Sequence, residues 1–97
     1  MEIRQLEYFV ESARTRSFSQ AARKLYTSQP NISKAIQQLE KELDTSLFRR
    51  NSAGIELTAE GKIVYLYAAN ILQNVERMNE LLSEQRNKHK NTRGCRK

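Results

Sequence analysis

The sequence predicts a mainly α-helical fold: three short helices, a small β-hairpin and one long closing helix. Three observations predict it. Apolar residues recur at helical spacing in three stretches between residues 3 and 43, and two short apolar runs between 47 and 57 flank a loop that ends in Gly. From Thr58 to Arg86 apolar residues recur at alternating steps of four and three.

The opening helix spans residues 3–14, with Ile3, Leu6, Phe9, Val10 and Ala13 on one side to complete a three-helix core. Glu2, Glu7 and Glu11 lie elsewhere on it, which turns this helix away from an anionic partner. Arg14 and Arg16, near its end, suit either the C-terminal dipole or a phosphate. The second helix follows Ser17, whose hydroxyl can cap it, and Gln20 three residues on predicts a reciprocal capping box. Its Phe18, Ala21, Ala22 and Leu25 share a face. For the third helix, Thr27 or Ser28 supplies the cap oxygen, and Pro30 falls in the first turn, where a missing N–H costs nothing. Ile32, Ala35, Ile36, Leu39 and Leu43 form its buried stripe.

Ser17 to Leu43 is thus a pair of short helices meeting at a tight turn, and the outward face of the second carries the chemistry. Gln29, Asn31, Ser33, Lys34, Gln37, Gln38 and Lys41 present amides, a hydroxyl and amines rather than carboxylates. Amides bond adenine bidentately, Lys and Ser reach guanine and other base edges, and a helix fits the major groove of DNA. A lone polar stripe is ordinarily a solvated face. Here the paired helices, the short turn and the amine-and-amide leading end together describe a recognition helix that docks N-terminus first.

Leu47–Arg50 and Ile55–Leu57 predict two short strands around Asn51-Ser52-Ala53-Gly54. A hairpin directly after a recognition helix is a wing. Arg49 and Arg50 on its first strand are either solvated or set against a DNA backbone, and their position favours contact for at least one.

Thr58 caps the final helix, which runs to about Arg86, roughly 40 Å at about 1.5 Å per residue. Val64, Ala68, Ile71, Val75, Met78 and Leu82 make a heptad seam. Tyr65, Leu66, Tyr67, Ala69, Leu72 and Leu81 widen the apolar surface beyond what one helix needs against its own domain. A second copy of the helix is expected to cover the excess, while the first turns also fold onto their own core. Residues 87–97, NKHKNTRGCRK, are basic and lack apolar periodicity, so disorder is expected there. They either add non-specific affinity for DNA or form a solvated end.

The net charge of +6 is unevenly spread: residues 1–13 carry −2, 14–50 carry +5, 51–85 carry −3 and 86–97 carry +6. The positive charge of the folded part is therefore local to the helix-turn-helix and the first strand after it, the footprint a phosphate backbone uses. One Cys at position 95 and one His at 89, both in the basic tail, give no disulfide framework and no metal-ligand cluster. With no Gly-rich phosphate loop and no partnered carboxylates, no catalytic, cofactor or metal site is expected. No stretch approaches about 18 apolar residues and no apolar run opens the chain, so a cytoplasmic protein away from the membrane is expected.

Residues 17–61 contain, in order, S-F-S-Q-A-A-x-x-L, S-Q-P-N-I-S-K-A-I-Q-Q-L-E-x-E-L, L-F-x-R and L-T-A-E-G. With the opening I-R-Q-L-E-Y-F and the long closing helix, the chain resembles the N-terminal domain of LysR-type transcriptional regulators. The resemblance implies a winged helix-turn-helix whose long helix is a linker pairing with its partner's, typically antiparallel, with tetramers common in full-length members. By position it implies DNA contacts from Gln29, Pro30, Asn31, Ser33 and Lys34, with Arg50 near the wing. Three departures stand out. Asp44 occupies the place of the usual Gly after the recognition helix, Ala53 and Gly54 occupy a wing tip that often carries arginine, and the family's α/β effector-binding domain does not appear in these residues.

The expected organisation is a winged helix-turn-helix at 1–57, with a three-helix core and a short β-hairpin wing. A linker and dimerisation helix comes next at 58–86, then a basic tail at 87–97. The expected function is sequence-specific binding of double-stranded DNA, as a homodimer on two related half-sites, by the DNA-binding part of a bacterial transcription regulator without its effector domain. Gln29, Pro30, Asn31, Ser33 and Lys34 are expected to read bases, and Arg16, Ser28, Lys41, Arg49 and Arg50 to hold phosphates. From another class, the chain would be a dimerisation module that pairs with a full-length relative and modulates its DNA binding.

Overall fold

A computed structural model of the protein describes residues 1–96, with side chains described for residues 1–88. Its elements are α1 (Ile3–Thr15), α2 (Phe18–Lys24), α3 (Gln29–Leu43), β1 (Phe48–Asn51), β2 (Gly54–Leu57) and α4 (Ala59–Arg96). The three-helix core, hairpin wing and long closing helix are those the sequence predicts.

Leu6, Phe9, Val10, Ala21, Ala22, Ile32, Ile36, Leu39, Leu47 and Ala68 form the buried core, with Phe18, Phe48, Val64, Tyr65 and Leu72 packed against it. A run of aromatic contacts crosses it. The Phe9 ring lies 5.3 Å from Phe48 and 6.4 Å from Tyr65, and Phe18 meets Phe48 edge-on at 5.6 Å. Four elements, α1, α2, β1 and α4, are joined through these rings. Ser12 was not foreseen inside: it is fully buried on α1, and its hydroxyl has no hydrogen-bond partner among the described residues.

The three short helices end alike. Arg16, Tyr26 and Asp44 follow α1, α2 and α3 with φ of 57°, 56° and 52°, the left-handed conformation that glycine adopts most cheaply. After α2 the Thr27 N–H donates to the Ala22 carbonyl at 2.9 Å and the Tyr26 N–H to the Arg23 carbonyl at 3.3 Å. After α3 the Thr45 and Asp44 N–H groups reach the Glu40 and Lys41 carbonyls in the same pattern. Both are Schellman closures, which satisfy carbonyls the helix leaves open.

The hairpin pairs Phe48 with Leu57 through Asn51 with Gly54, so the turn is only Ser52-Ala53 and is one residue tighter at each side than the four-residue loop expected. The Asn51 side-chain carbonyl braces it by accepting from the Ala53 N–H at 2.9 Å. Leu47, assigned to the first strand from sequence, stands just before it: its carbonyl still pairs opposite Thr58 in the hairpin register, but its N–H is taken by α3. Its N–H donates to Glu40 Oε2 at 2.8 Å, its carbonyl accepts from the Thr58 N–H at 3.0 Å, and its side chain is buried.

Thr58 caps α4 as expected, accepting from the Gly61 N–H at 2.9 Å while donating to the Ser46 carbonyl at 2.6 Å. Gly61 is required there. A Cβ on it would run into the Leu47 carbonyl oxygen. The helix continues to Arg96 rather than stopping near Arg86. Its sequence offers no reason to stop, since residues 62–93 contain neither Gly nor Pro. The expectations for Lys97 and for the side chains of His89 and Cys95 lie outside the described residues.

On α4 the six seam residues separate. Ala68 is buried and Val64 packs against the core, Val75 lines a groove against α1, and Ile71, Met78 and Leu82 are exposed. Exposed with them are Ile63, Leu66, Tyr67 and Leu81. This open stripe lies roughly a third of a turn from the one that meets the core. Among the described residues no helix is long and apolar enough to cross a membrane.

Two substitutions test these backbone constraints. Gly61→Ala should destabilise the fold by about 2 kcal/mol or more, read as a lowered midpoint in thermal or urea unfolding, because the Leu47 backbone cannot retreat without opening the core. Asp44→Gly should raise the Tm, by about 0.5–1 kcal/mol of relieved backbone strain; an unchanged or lower Tm would refute strain at that cap.

Candidate nucleic-acid interface

α3 begins at a capped N-terminus. Ser28, not Thr27, is the cap: its hydroxyl accepts from the Asn31 N–H at 3.2 Å, with Pro30 in the first turn. Thr27 holds a different partner, its Oγ1 accepting from Asn31 Nδ2 at 3.0 Å. On the other side, Ser19 at the start of α2 donates to the Gln29 side-chain carbonyl at 2.8 Å. Two of the five expected base-reading side chains are thus held in place by short polar contacts before any ligand arrives. Burial of Ile32, Ala35, Ile36 and Leu39 fixes the rotation of α3, leaving Gln29, Pro30, Asn31, Lys34, Gln37 and Lys41 outside and Ser33 half-buried.

The wing reaches back to this surface through Arg50. Its guanidinium lies 5.8 Å from the centre of the Phe18 ring, a cation–π contact that holds the charge beside α2 and α3. Arg50 lines two adjoining hollows. The smaller, about 170 Å³, includes Ser33 and Gln37 of α3; the larger, about 480 Å³, is bounded by Arg16, Ser17, Ser19, Gln20, Gln29, Ala53 and Gly54. Gly54 sits at the meeting point of wing and helix-turn-helix. With φ 136° and a would-be Cβ only 2.6 Å from the Arg16 carbonyl oxygen, it admits no side chain, and the neighbouring Ile55 N–H donates to that carbonyl at 3.3 Å.

Gln29, Ser33, Arg16 and Arg50 are therefore gathered about one concave surface, with the exposed Asn31 and Lys34 on the same helix. Lys41 is not gathered. It lies in the last turn of α3, about 15 Å along the axis from Asn31. Arg49 is drawn to the outer side of the wing near Glu56, at 4.0 Å. Gln38 is outward as expected but lies on the side next to α1, where it accepts from Gln5 Nε2 at 3.3 Å. Gln20 makes only half of the expected capping box: its N–H donates to Ser17 Oγ at 3.1 Å, while its side chain lines the larger hollow. Ser19 and Gln20 were missed as members of this surface. Their signal was present, since both fall opposite the buried Ala21 and Ala22.

A protein-family model for bacterial regulatory helix-turn-helix proteins of the lysR family matches residues 3–62. The chain is 45% identical over 78 residues to the HTH-type transcriptional regulator BenM of Acinetobacter baylyi, covering 80% of this chain and 26% of BenM. It is 50% identical over 72 residues to the regulator BudR of Klebsiella aerogenes, covering 74% of this chain and 50% of BudR. The chain thus spans a quarter to a half of the length of these relatives. Among solved structures, the crystal structure of a BenM DBD/catB site 1 DNA complex superposes with a TM-score of 0.83 at 42% identity, covering 87% of this chain and 93% of that one. A CbnR DBD–DNA complex gives 0.78 at 40% identity, covering 82% and 92%.

The cap gives a direct test of what holds this surface. Ser28→Ala should cost about 1 kcal/mol of stability and loosen the first turn of α3, read as faster amide exchange at Asn31 with the rest of α3 unaffected.

Proposed function

The chain belongs to the lysR family of bacterial regulatory helix-turn-helix proteins, and from that footing we propose that it binds double-stranded DNA sequence-specifically as the DNA-binding part of a transcription regulator. The observation that carries this is the first turn of α3. Exposed amide and amine side chains, two of them pre-set by Ser19 and Thr27, stand beside a wing arginine on one concave surface, in a chain 42% identical to a domain solved on its DNA. Such a surface has the donors and acceptors to read base edges and the charge to hold phosphates.

In this reading residues 1–57 form the DNA-binding unit. Gln29, Pro30, Asn31, Ser33 and Lys34 meet bases from α3, and Arg16, Ser28 and Arg50 meet phosphates, with Arg49 and Lys41 at the margins. Residues 58–86 join two copies. The pairing surface is the exposed stripe of Ile71, Met78 and Leu82 together with Ile63, Leu66, Tyr67 and Leu81, and burial of such side chains gives about 1.5–3 kcal/mol each before ordering costs. Two copies place two recognition helices on two related half-sites. The protein acts by binding rather than catalysis, in the bacterial cytoplasm where its DNA is. A module that only pairs with a longer relative is not favoured, since it leaves the α3 surface without a use.

Selection of binding sites from random duplexes at two salt concentrations tests the reading. Two related half-sites should be enriched, and neutralisation of six to ten phosphates by the dimer gives a slope of log affinity against log salt of about −5 to −9. Binding without an enriched motif would overturn it. Lys34→Ala should relax specificity, while Arg50→Ala should weaken selected and random duplexes alike; equal losses on both duplexes for both variants would refute that division.

A further inference from the structure

Tyr26 is the residue the fold does not account for. It follows α2 in the turn of the helix-turn-helix, at the closure position that glycine or asparagine ordinarily fills. Its backbone is left-handed with φ 56°, uncommon for any side chain but Asn or Asp and an outlier for a bulky one. Its ring is 97% exposed, so the side chain returns no packing for the strain. The other two left-handed residues differ. Asp44 is of a type that tolerates the conformation, and the Arg16 carbonyl receives the Ile55 N–H from the wing. Strain held by surrounding structure at an exposed side chain points to a use outside the free molecule.

The position of Tyr26 identifies the use. It comes two residues before the Ser28 cap of α3, next to Thr27, which positions Asn31. Its N–H is closed onto the carbonyl of Arg23, an exposed cation that makes no ion pair among the described residues. Arg23 and Tyr26 thus spring from one tight turn at the leading edge of the recognition helix, offering a guanidinium and a phenol donor. We propose that this pair grips a backbone phosphate of the bound DNA, the Tyr26 hydroxyl donating to a phosphate oxygen while Arg23 neutralises its charge. The inference rests on the DNA-binding reading. It adds two contacts that carry no sequence information but fix the register of α3 on the duplex.

The test compares the full chain with Tyr26→Gly, Tyr26→Phe and Arg23→Ala on the selected duplex and a random one. Tyr26→Gly should raise the Tm, because strain is relieved, and yet lose about tenfold in affinity on both duplexes. Tyr26→Phe should keep the wild-type Tm and lose affinity by a similar factor, which separates the hydroxyl from the backbone. Arg23→Ala should lower the salt slope by about one per chain. Wild-type affinity for both Tyr26→Gly and Tyr26→Phe would overturn the grip while leaving base reading by α3 intact. If the wild-type chain itself binds no duplex, the DNA-binding reading fails first, and the grip with it.

Discussion

Phe9 is the contact on which the other elements depend. Fully buried on α1, it meets Phe48 of the wing and Tyr65 of the long helix, and Phe48 passes the contact on to Phe18 of α2. Neither α2 nor the wing could be stable alone: α2 has only seven residues and the hairpin four per strand. The aromatic run gives each of them a hydrophobic surface to pack on. It also has a functional end, because Phe18 presents its face to the Arg50 guanidinium. The position of a charge at the candidate interface is thereby set by a ring packed in the core.

A second constraint is backbone rather than side chain. Leu47 is bonded at its N–H by Glu40 of α3 and at its carbonyl by Thr58, and Gly61 passes so close to that carbonyl that no side chain fits. Recognition helix, wing and linker helix therefore meet at one residue. Glu40, an acid on α3, is half-buried and turned toward the start of the wing rather than out with Gln37 and Lys41.

Much of this was legible in the sequence because the responsible physics is local. Stripes such as Ile32, Ala35, Ile36 and Leu39 announce a helix and its buried face together, and Ser17 and Thr58 announce their caps. What escaped depends on groups far apart in the chain. Gln38 is outward as a helical wheel shows, but the wheel is silent on its contact with Gln5; Leu47 looks like a strand residue, and Glu40 takes the N–H that would have extended the strand. The seam on α4 could not be divided from sequence alone, since a repeat of fours and threes drifts round the helix. Only the position of α1 decides that Ala68 turns inward and Met78 outward. Lys41 fits the outward pattern of α3 yet stands too far along the axis to share the concave surface. The left-handed turn at Tyr26 carries no glycine or asparagine to announce it.

The uninterrupted α4 makes the molecule mechanically simple. Its first four turns are bedded against α1 and the wing through Gly61, Val64, Tyr65, Ala68 and Leu72, and between Gly61 and Gly94 nothing in the sequence provides a hinge. The helix is therefore a strut fixed at one end rather than a tether. A sideways shift of about 3 Å at its far end, roughly 30 Å beyond the core, tilts the whole reading head by about 6°. Whatever grips the outer turns of this strut sets the angle at which α3 is offered to DNA, with no rearrangement inside the head itself.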